Sequence, residues 1–365
     1  MPGCFEKMAV GHSPESLSFG MGVEAGKRDC GNAALLFRGS PRNDTILFYN
    51  LYNNRAANQR LLICMTMIKN ENGLKDPRDR RGLPEDYKKQ IQHGPGIQSG
   101  MKPVPDSGET FYVGHNRLRG RRAFITGGDS GIGRAVAIAY AREGAEVAIS
   151  YLDDEGRDAE SLADLMEKEG VRLILIPGDI STSEGAKRAV EKAEEKLGHI
   201  DILVLNAGVQ KAHRRLEDIT EQQLRLTFEV NVFSPLWMIQ AAAKKMPVGS
   251  SIIFTSSSEF YKPAAKLTED AASKYAVVGL SRALAKELIG RGIRVNTVCP
   301  GSTWTPLEIS GGLLEEDIPD HGSVNLMDRA AQPWEIAGVY VFLASEEAGF
   351  VTCATYGVDG GMETV

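Results

Sequence analysis

Thr126-Gly127-Gly128-Asp129-Ser130-Gly131-Ile132-Gly133 decides the reading of this chain. It joins a short apolar run, Ala123–Thr126, to Gly131–Gly144, where alanine and isoleucine recur at helical spacing. A strand that passes through glycines into a helix leaves the first N–H groups of that helix unpaired. Those groups and the positive end of the helix dipole suit a phosphate. Gly127 permits the tight turn, Gly131 lets backbone approach a pyrophosphate, and Gly133 lets helix and strand pack closely. Asp129, Ser130 and Ile132 complete the candidate cradle.

Working outward, the same alternation repeats. Strands are predicted at Glu146–Tyr151, Arg172–Pro177, Asp201–Asn206, Ser251–Ser256, Ile293–Val298 and Thr355–Val358. Helices are predicted at Glu155–Glu169, Ser183–Leu197, Thr220–Lys245, Leu267–Ile289 and Gln332–Ser345. The strands are β-branched runs with little polar alternation, so both faces of their sheet are covered. Right-handed crossovers then give an α/β fold: a doubly wound, parallel, seven-stranded Rossmann sheet in a single main domain.

That domain is expected over residues 118–365. Residues 65–117 turn polar and carry Pro77, Pro84, Pro95, Pro103 and Pro105, which predicts an extended arm with one short helix near Glu85–Gln92. The arm could wrap a neighbouring subunit. Residues 1–64 show no clear period and are expected to be disordered or not part of the native chain, since Met65 and Met67 each make a plausible start.

Composition excludes several functions. With 42% hydrophobic and 25% charged residues the chain is ordinary globular protein, and a net charge of -6 gives no field for nucleic acid or an anionic membrane. No apolar run approaches the ~18 residues of a membrane span, and no secretory signal is visible. Five scattered cysteines and six scattered histidines predict neither disulfides nor a metal site, and a cytoplasmic setting fits.

The spacing TGxxxGIG, with further motifs in order, resembles the short-chain dehydrogenase/reductase family from about Leu118 to Gly361. Asn206-Ala207-Gly208 matches its NAG motif and Asp179-Ile180 its adenine-contacting pair. Asn231 matches its active-site asparagine. Pro300-Gly301 with Thr303 and Thr305 matches the loop at the nicotinamide carboxamide. Val358-Asp359-Gly360-Gly361 matches its last strand. The arm (Pro95-Gly96, Met101–Pro105, Tyr112-Val113-Gly114) resembles the leader of a bacterial and fungal oxidoreductase subgroup. The resemblance implies a nicotinamide dinucleotide. An acid closing the second strand would favour NAD, but Ser150-Tyr151 stand there, so NADP(H) is expected over NAD. Arg134 and Arg157 are candidate clamps for a 2′-phosphate, while Asp153 and Asp154 oppose one.

The family protonates the product alkoxide with a tyrosine four residues before a lysine, whose ammonium also holds the nicotinamide ribose, and positions the carbonyl with a serine. Here Lys274 and Ser257 are present, and the tyrosine position holds Asp270. A carboxyl starts near ~3.9 and an adjacent ammonium should lower it further, leaving Asp270 ionised and unable to give a proton. Three readings follow. A substitute, first Tyr261 and less aptly Tyr275, could keep a reductase working. Asp270 could be the base of an isomerase, dehydratase or cyclase with a spectator cofactor. The chain could also be an inactive nucleotide binder. The catalytic candidates are therefore Asn231, Ser257, Asp270, Lys274 and Tyr261.

In this family a segment such as Trp304–Met327 covers the substrate. Its Trp304, Leu307, Ile309, Leu313 and Leu314 either face an apolar, small to medium metabolite or pack among themselves. Helices Thr220–Lys245 and Leu267–Ile289 resemble those that pair subunits, which implies a homodimer or homotetramer.

Overall fold

The protein is described by a computed structural model covering residues 75–84 and 87–362, together with the backbone of three strands nearer the N-terminus. It forms two compact units, Met1–Lys75 and Asp76–Val365. In the first, β1 (Val23–Arg28), β2 (Asn32–Phe37) and β3 (Ile46–Tyr49) make an antiparallel sheet. Disorder was expected there, but the apolar runs Leu35–Phe37 and Ile46–Tyr49, set apart by turn-forming residues, are a strand signal. The rest of residues 1–64 lies outside the described residues.

The second unit is the Rossmann body. Its strands are β4 (Arg122–Thr126), β5 (Glu146–Tyr151), β6 (Leu173–Pro177), β7 (Ile202–Leu205), β8 (Ser251–Thr255), β9 (Arg294–Pro300) and β10 (Thr355–Val358). All seven are parallel, in the order β10-β9-β8-β7-β4-β5-β6. The order reverses between β4 and β7, and that crevice at the strand C-termini is where an open α/β sheet takes its ligand.

Two cores cover the sheet. On one face α1 (Gly131–Arg142) and α7 (Pro333–Ala344) pack on Ile125, Val147 and Val204. Alanines at 135, 137, 139 and 141 keep α1 slim enough to lie against both sheet and α7, and Tyr140 Oη donates to the Tyr340 carbonyl at 2.9 Å. On the other, α3 (Ser183–Leu197), α5 (Ser234–Ala242) and α6 (Thr268–Leu288) cover Phe124, Leu203 and Phe254. Helix α2 (Gly156–Lys168) flanks β6. Thr182 caps α3, its hydroxyl accepting from Gly185 N at 3.1 Å.

Two expectations change. The predicted helix Thr220–Lys245 is α4 (Glu221–Phe228) and α5 joined by a wider π turn, Glu229–Phe233. Such turns cluster at functional sites because they re-aim one side chain, here Asn231. Of the short helix expected near Glu85–Gln92, residues 85–86 lie outside the described residues, 87–92 run as irregular chain, and the nearest described helical turn is Gln98–Gly100. Prolines on both sides leave too short a run to nucleate one.

From residue 76 the arm lies on its own chain. Trp304 Nε1 donates to the Pro103 carbonyl at 2.8 Å, Asp106 N to Gln332 at 2.9 Å, and Arg142 to the Gly108, Glu109 and Tyr112 carbonyls. Leu83, Tyr87 and Met101 of the arm form a third core with Trp304, Ile309 and Ile318. Among the described residues no helix is long and apolar enough to cross a membrane, and no cluster of His, Cys, Asp and Glu could hold a metal.

Candidate active site

The phosphate turn is built as its glycines require. Gly131 sits at φ +51°, and a Cβ there would meet the Thr305 side chain at 3.1 Å. A Cβ on Gly133 would lie 1.9 Å from the Gly127 carbonyl oxygen. Thr126 Oγ1 accepts from Asn206 N (2.9 Å) and Ala207 N (3.0 Å), and Asn206 Nδ2 donates back to the Thr126 and Gly127 carbonyls. These bonds lock the turn after β4 to the turn after β7. Thr303 Oγ1 donates to the Gly301 carbonyl at 2.9 Å, and Gly301 N to Val358 after Pro300 closes β9. Ser130 precedes α1 without capping it through its side chain, and Ile132 is half-buried in the first turn.

Two buried polar groups in this crevice have no partner: Asp129 Oδ2, and Ser150 Oγ at the end of β5. A cradle of turn glycines with orphaned polar groups beside it fits a dinucleotide. Burial, opposed by a bond from Ser130, raises the Asp129 carboxyl to about 6, and Glu155 is held at about 7 by burial and by Asp129. Tyr151 is half-buried next to Ser150. Asp179 is engaged locally, accepting from Ser181 N and Oγ, with Ile180 buried behind it.

One proposed clamp fails. Arg134 is buried and committed to Glu109, to the Asp129 and Asp158 carbonyls and to Ser161, so it is not free for a 2′-phosphate. Arg157 is exposed at the start of α2, with no side-chain partner among the described residues. The sequence missed Gln98. Its Oε1 accepts from Gly131 N at 2.7 Å, so an arm side chain occupies a donor of the phosphate turn. The Pro95-Gly96 motif marked the place, but nothing local said where the amide would point.

At the catalytic end, Asn231 Oδ1 accepts from Val209 N at 2.9 Å, and its Nδ2 lies within bonding distance of the Val209 carbonyl, Ser273 Oγ and Asp270 Oδ1 (3.0, 3.0 and 3.2 Å). Lys274 Nζ is 4.0 Å from Asp270 Oδ1. A Cβ on Gly208 would touch both Asn231 Oδ1 (3.3 Å) and Lys274 Nζ (3.6 Å), so Gly208 leaves the space in which they meet. Ser257 Oγ accepts from Glu259 N at 3.1 Å, leaving its proton free to donate. Asn231, Asp270 and Lys274 come together here, and Ser257 follows the C-terminal end of β8.

Asp270 corrects the expectation drawn from charge alone. Its side chain is wholly buried and Oδ2 has no partner. Burial raises its carboxyl above the ordinary range despite Lys274 and the Asn231 bond, and the Glu269 charge adds to the rise. Desolvation outweighs a single ammonium 4.0 Å away.

Tyr261 is held beside Ser257 through Cys299, whose thiol also meets Ser256 and the Ser257 backbone. Its hydroxyl lies by the Cys299 thiol, and burial with that contact pushes it up to about 12. Its ring packs on Phe260 and lies beside Gly357. Tyr275 is exposed and packs on the other side of Phe260.

Other acids lie within electrostatic reach of Asp270. Glu259 is buried, accepts from Ala264 N, and is raised by burial and by Asp270. Glu308, in the first turn of the lid, is held at about 8 by desolvation first, then by Asp270 and Glu259. These acids lie at sequence positions 259, 269, 270 and 308, too dispersed for a motif to show. Of the lid's hydrophobics, Trp304 and Ile309 are fully buried in the arm core with Leu313 against them, while Leu314 lines a cleft with Glu269. Trp304, Ile309 and Leu313 therefore pack within the chain, the second of the two readings open for them.

Residues 127–363 match the family described as enoyl-(acyl carrier protein) reductase, a short-chain dehydrogenase group. The chain is 50% identical over 283 residues to the uncharacterized oxidoreductase YhxD of Bacillus subtilis (strain 168), covering 77% of this chain and 95% of that one. It is 50% identical over 288 residues to the uncharacterized oxidoreductase YghA of Escherichia coli (strain K12), covering 79% and 98%. Among solved structures it is similar to a short-chain dehydrogenase from Burkholderia cenocepacia J2315 in complex with NADP (TM-score 0.63, 34% identity, 67% and 99% coverage). It is also similar to a blue fluorescent protein from a metagenomic library in complex with NADPH (0.63, 35%, 68% and 99%). By that family match and those identities, the chain belongs to the short-chain dehydrogenase/reductase family.

Proposed function

We propose that this chain is an NADP(H)-dependent oxidoreductase interconverting a carbonyl and an alcohol, with its proton held by a carboxyl group instead of a tyrosine. The observation that carries the reading is the pairing of an intact nucleotide cradle with Asn231, Ser257 and Lys274 around an altered acid. Similar structures hold NADP or NADPH, which supports that cofactor here. Gly131, Ile132, Gly133, Asn206, Thr303 and Thr305 would hold it, with Ser150, Tyr151 and Arg157 toward the ribose phosphate and Lys274 toward the nicotinamide ribose. Bound NADP(H) supplies or accepts the hydride.

The chain's own residues do the rest. Ser257 donates to the carbonyl oxygen. Glu308 carries its proton at neutral pH and delivers it to the new alkoxide as the carbon is reduced. In the oxidative direction its carboxylate takes the alcohol proton back. Asn231 fixes Asp270, and the Asp270 charge helps hold Glu308 protonated.

A second reading rests on one observation: Asp270 Oδ2 is buried, unpartnered and raised, which also suits the base of an isomerase or dehydratase. NADPH oxidation across a panel of aldehydes and ketones, with the natural protein and Asp270→Tyr, separates the two. Turnover by the natural protein supports the oxidoreductase. Turnover confined to the tyrosine variant, or substrate conversion without loss of NADPH, overturns it.

Exposed Leu224, Leu226, Phe233 and Ile289 on α4 to α6 and the turns that flank them support a homo-oligomer, and light scattering at the monomer mass would contradict it.

A further inference from the structure

Asp129 stands in the phosphate turn where β4 hands over to α1, and that turn is tied to the end of β5: Gly128 N donates to the Ser150 carbonyl at 3.2 Å. In a doubly wound sheet the end of this second strand faces the adenosine ribose, and an acid there takes its 2′-hydroxyl. β5 ends in Ser150-Tyr151 without one. Asp129 brings a carboxyl to the same corner from the neighbouring strand.

Three acids meet at this corner, and one of them keeps a buried oxygen without a donor. Asp158, in α2, accepts from Gln98 N and, at 3.3 Å, from Ser99 N of the arm. Glu155, in the turn before α2, accepts from Leu152 N at 2.8 Å. Asp129 is 1% exposed and its Oδ2 has no partner; Ser150 Oγ, 2% exposed, has none either. Arg134 does not fill the gap, since it donates to the Asp129 main-chain carbonyl and pairs with Glu109. A buried carboxylate oxygen without a donor is costly, and a ligand that brings one relieves that cost.

The two nicotinamide nucleotides differ in what they bring here. A ribose 2′-hydroxyl donates to a carboxylate. A 2′-phosphate offers acceptors and up to about two negative charges, so an ionised Asp129 repels it and a protonated one donates to it. The charges around Asp129 set that balance. Burial holds its carboxyl at about 6, with the Ser130 hydroxyl and Arg134 of α1 opposing and Asp158 of α2 adding. Burial, then the Asp129 charge, holds Glu155 at about 7, with Asp158 and Asp154 adding and the Leu152 N–H opposing. Tyr151 on β5 is raised by burial and by Glu160, Asp153 and Asp129, so it stays neutral.

We propose that Asp129 sets the choice of nucleotide: ionised, it takes the ribose 2′-hydroxyl of NAD(H), and protonated, it admits the 2′-phosphate of NADP(H), so that one site uses both and its preference for NADP(H) narrows as pH rises. This rests on the nucleotide-binding part of the oxidoreductase reading and not on the source of the proton. The sign follows from the order of ionisation. Asp129 and then Glu155 lose their protons as pH passes through about 6 and about 7, and each loss adds a negative charge beside the 2′ position.

The natural protein, Asp129→Asn and Asp129→Ser are titrated calorimetrically with NADP⁺ and NAD⁺ at about pH 5.5 and about pH 8, on either side of those values. In the natural protein both nucleotides should bind saturably, and the ratio of the NAD⁺ to the NADP⁺ dissociation constant should fall at least tenfold over that range. A phosphate monoester itself gains charge near ~6, and the variants isolate that contribution. Without a carboxyl at 129 the fall should shrink to about threefold or less. At the higher pH each variant should bind NADP⁺ at least tenfold tighter than the natural protein and NAD⁺ at least threefold more weakly. A melting temperature within a few degrees of the natural one shows that a variant is folded, and if one is not, the other decides. No saturable NAD⁺ binding by the natural protein, or a full pH response kept by a folded variant, would overturn the role of Asp129. Failure of the natural protein to bind either nucleotide would overturn the oxidoreductase reading and this role together. The expected binding pattern in a protein that oxidises no NADPH with any aldehyde or ketone would overturn that reading alone and leave the role standing.

Discussion

The two ends of the ligand crevice are built on opposite principles. At the phosphate end, specificity comes from what is missing: glycines whose absent side chains let α1 and β4 approach, with backbone N–H groups left to meet an anion. At the catalytic end it comes from what is crowded in. Asp270, Glu259, Glu269 and Glu308 gather near one another, and burial raises three of them above ordinary carboxyl values. The first end tolerates no added atom. The second trades the family's phenol for carboxyl groups whose protons depend on their mutual repulsion and on the exclusion of water.

The largest effect should come from breaking the first end. In Gly133→Val the new side chain enters the space 1.9 Å from the Gly127 carbonyl. More than about 3 kcal/mol of stability should be lost, with no saturable NADPH fluorescence. A variant that melts and binds as the natural protein does would remove the steric account of the turn.

Next is Glu308→Gln, which tests whether a crowded carboxyl replaced the tyrosine. An amide cannot give the proton, so kcat for reduction should fall about 10²-fold with NADPH binding retained. Glu308 titrates near 8 and must be protonated to act, so the natural rate should decline as pH rises through about 8. That alkaline limb should vanish in the variant. A limb that persists unchanged would assign the proton to another group.

The smallest effect should come from Arg157→Ala. One charge-assisted contact is worth roughly 1.5–3 kcal/mol. The KM for NADPH should rise at least about tenfold, with that for NADH unmoved. Equal effects on both nucleotides would show that Arg157 does not meet a 2′-phosphate.

The contrast also explains what could be read from the chain in advance. The phosphate turn, the seven strands and the positions of Asn231, Ser257 and Lys274 are local: each depends on spacing within one strand, turn or helix. Asp270 was visible as an oddity, but its charge state was not, because desolvation depends on residues far away in sequence. The lid left two readings open for the same reason. For Trp304 and Ile309 the choice between substrate contact and self-packing depends on Leu83, Tyr87 and Met101 of the arm, which cover them. Arg134 looked available until Glu109, Asp158 and Ser161 claimed it. Gln98 and Glu308 have no motif at all, since tertiary packing alone brings them to the crevice.

The central claim is that the nucleotide grip is whole while the proton source has changed. It is tested most directly by measuring, on the natural protein and on Asp270→Tyr, both NADPH binding by fluorescence and single-turnover NADPH oxidation with an aldehyde. The account predicts binding constants within about threefold of each other and measurable oxidation by the natural protein. Failure of the natural protein to bind NADPH, or oxidation that arises only once the tyrosine is restored, would contradict it.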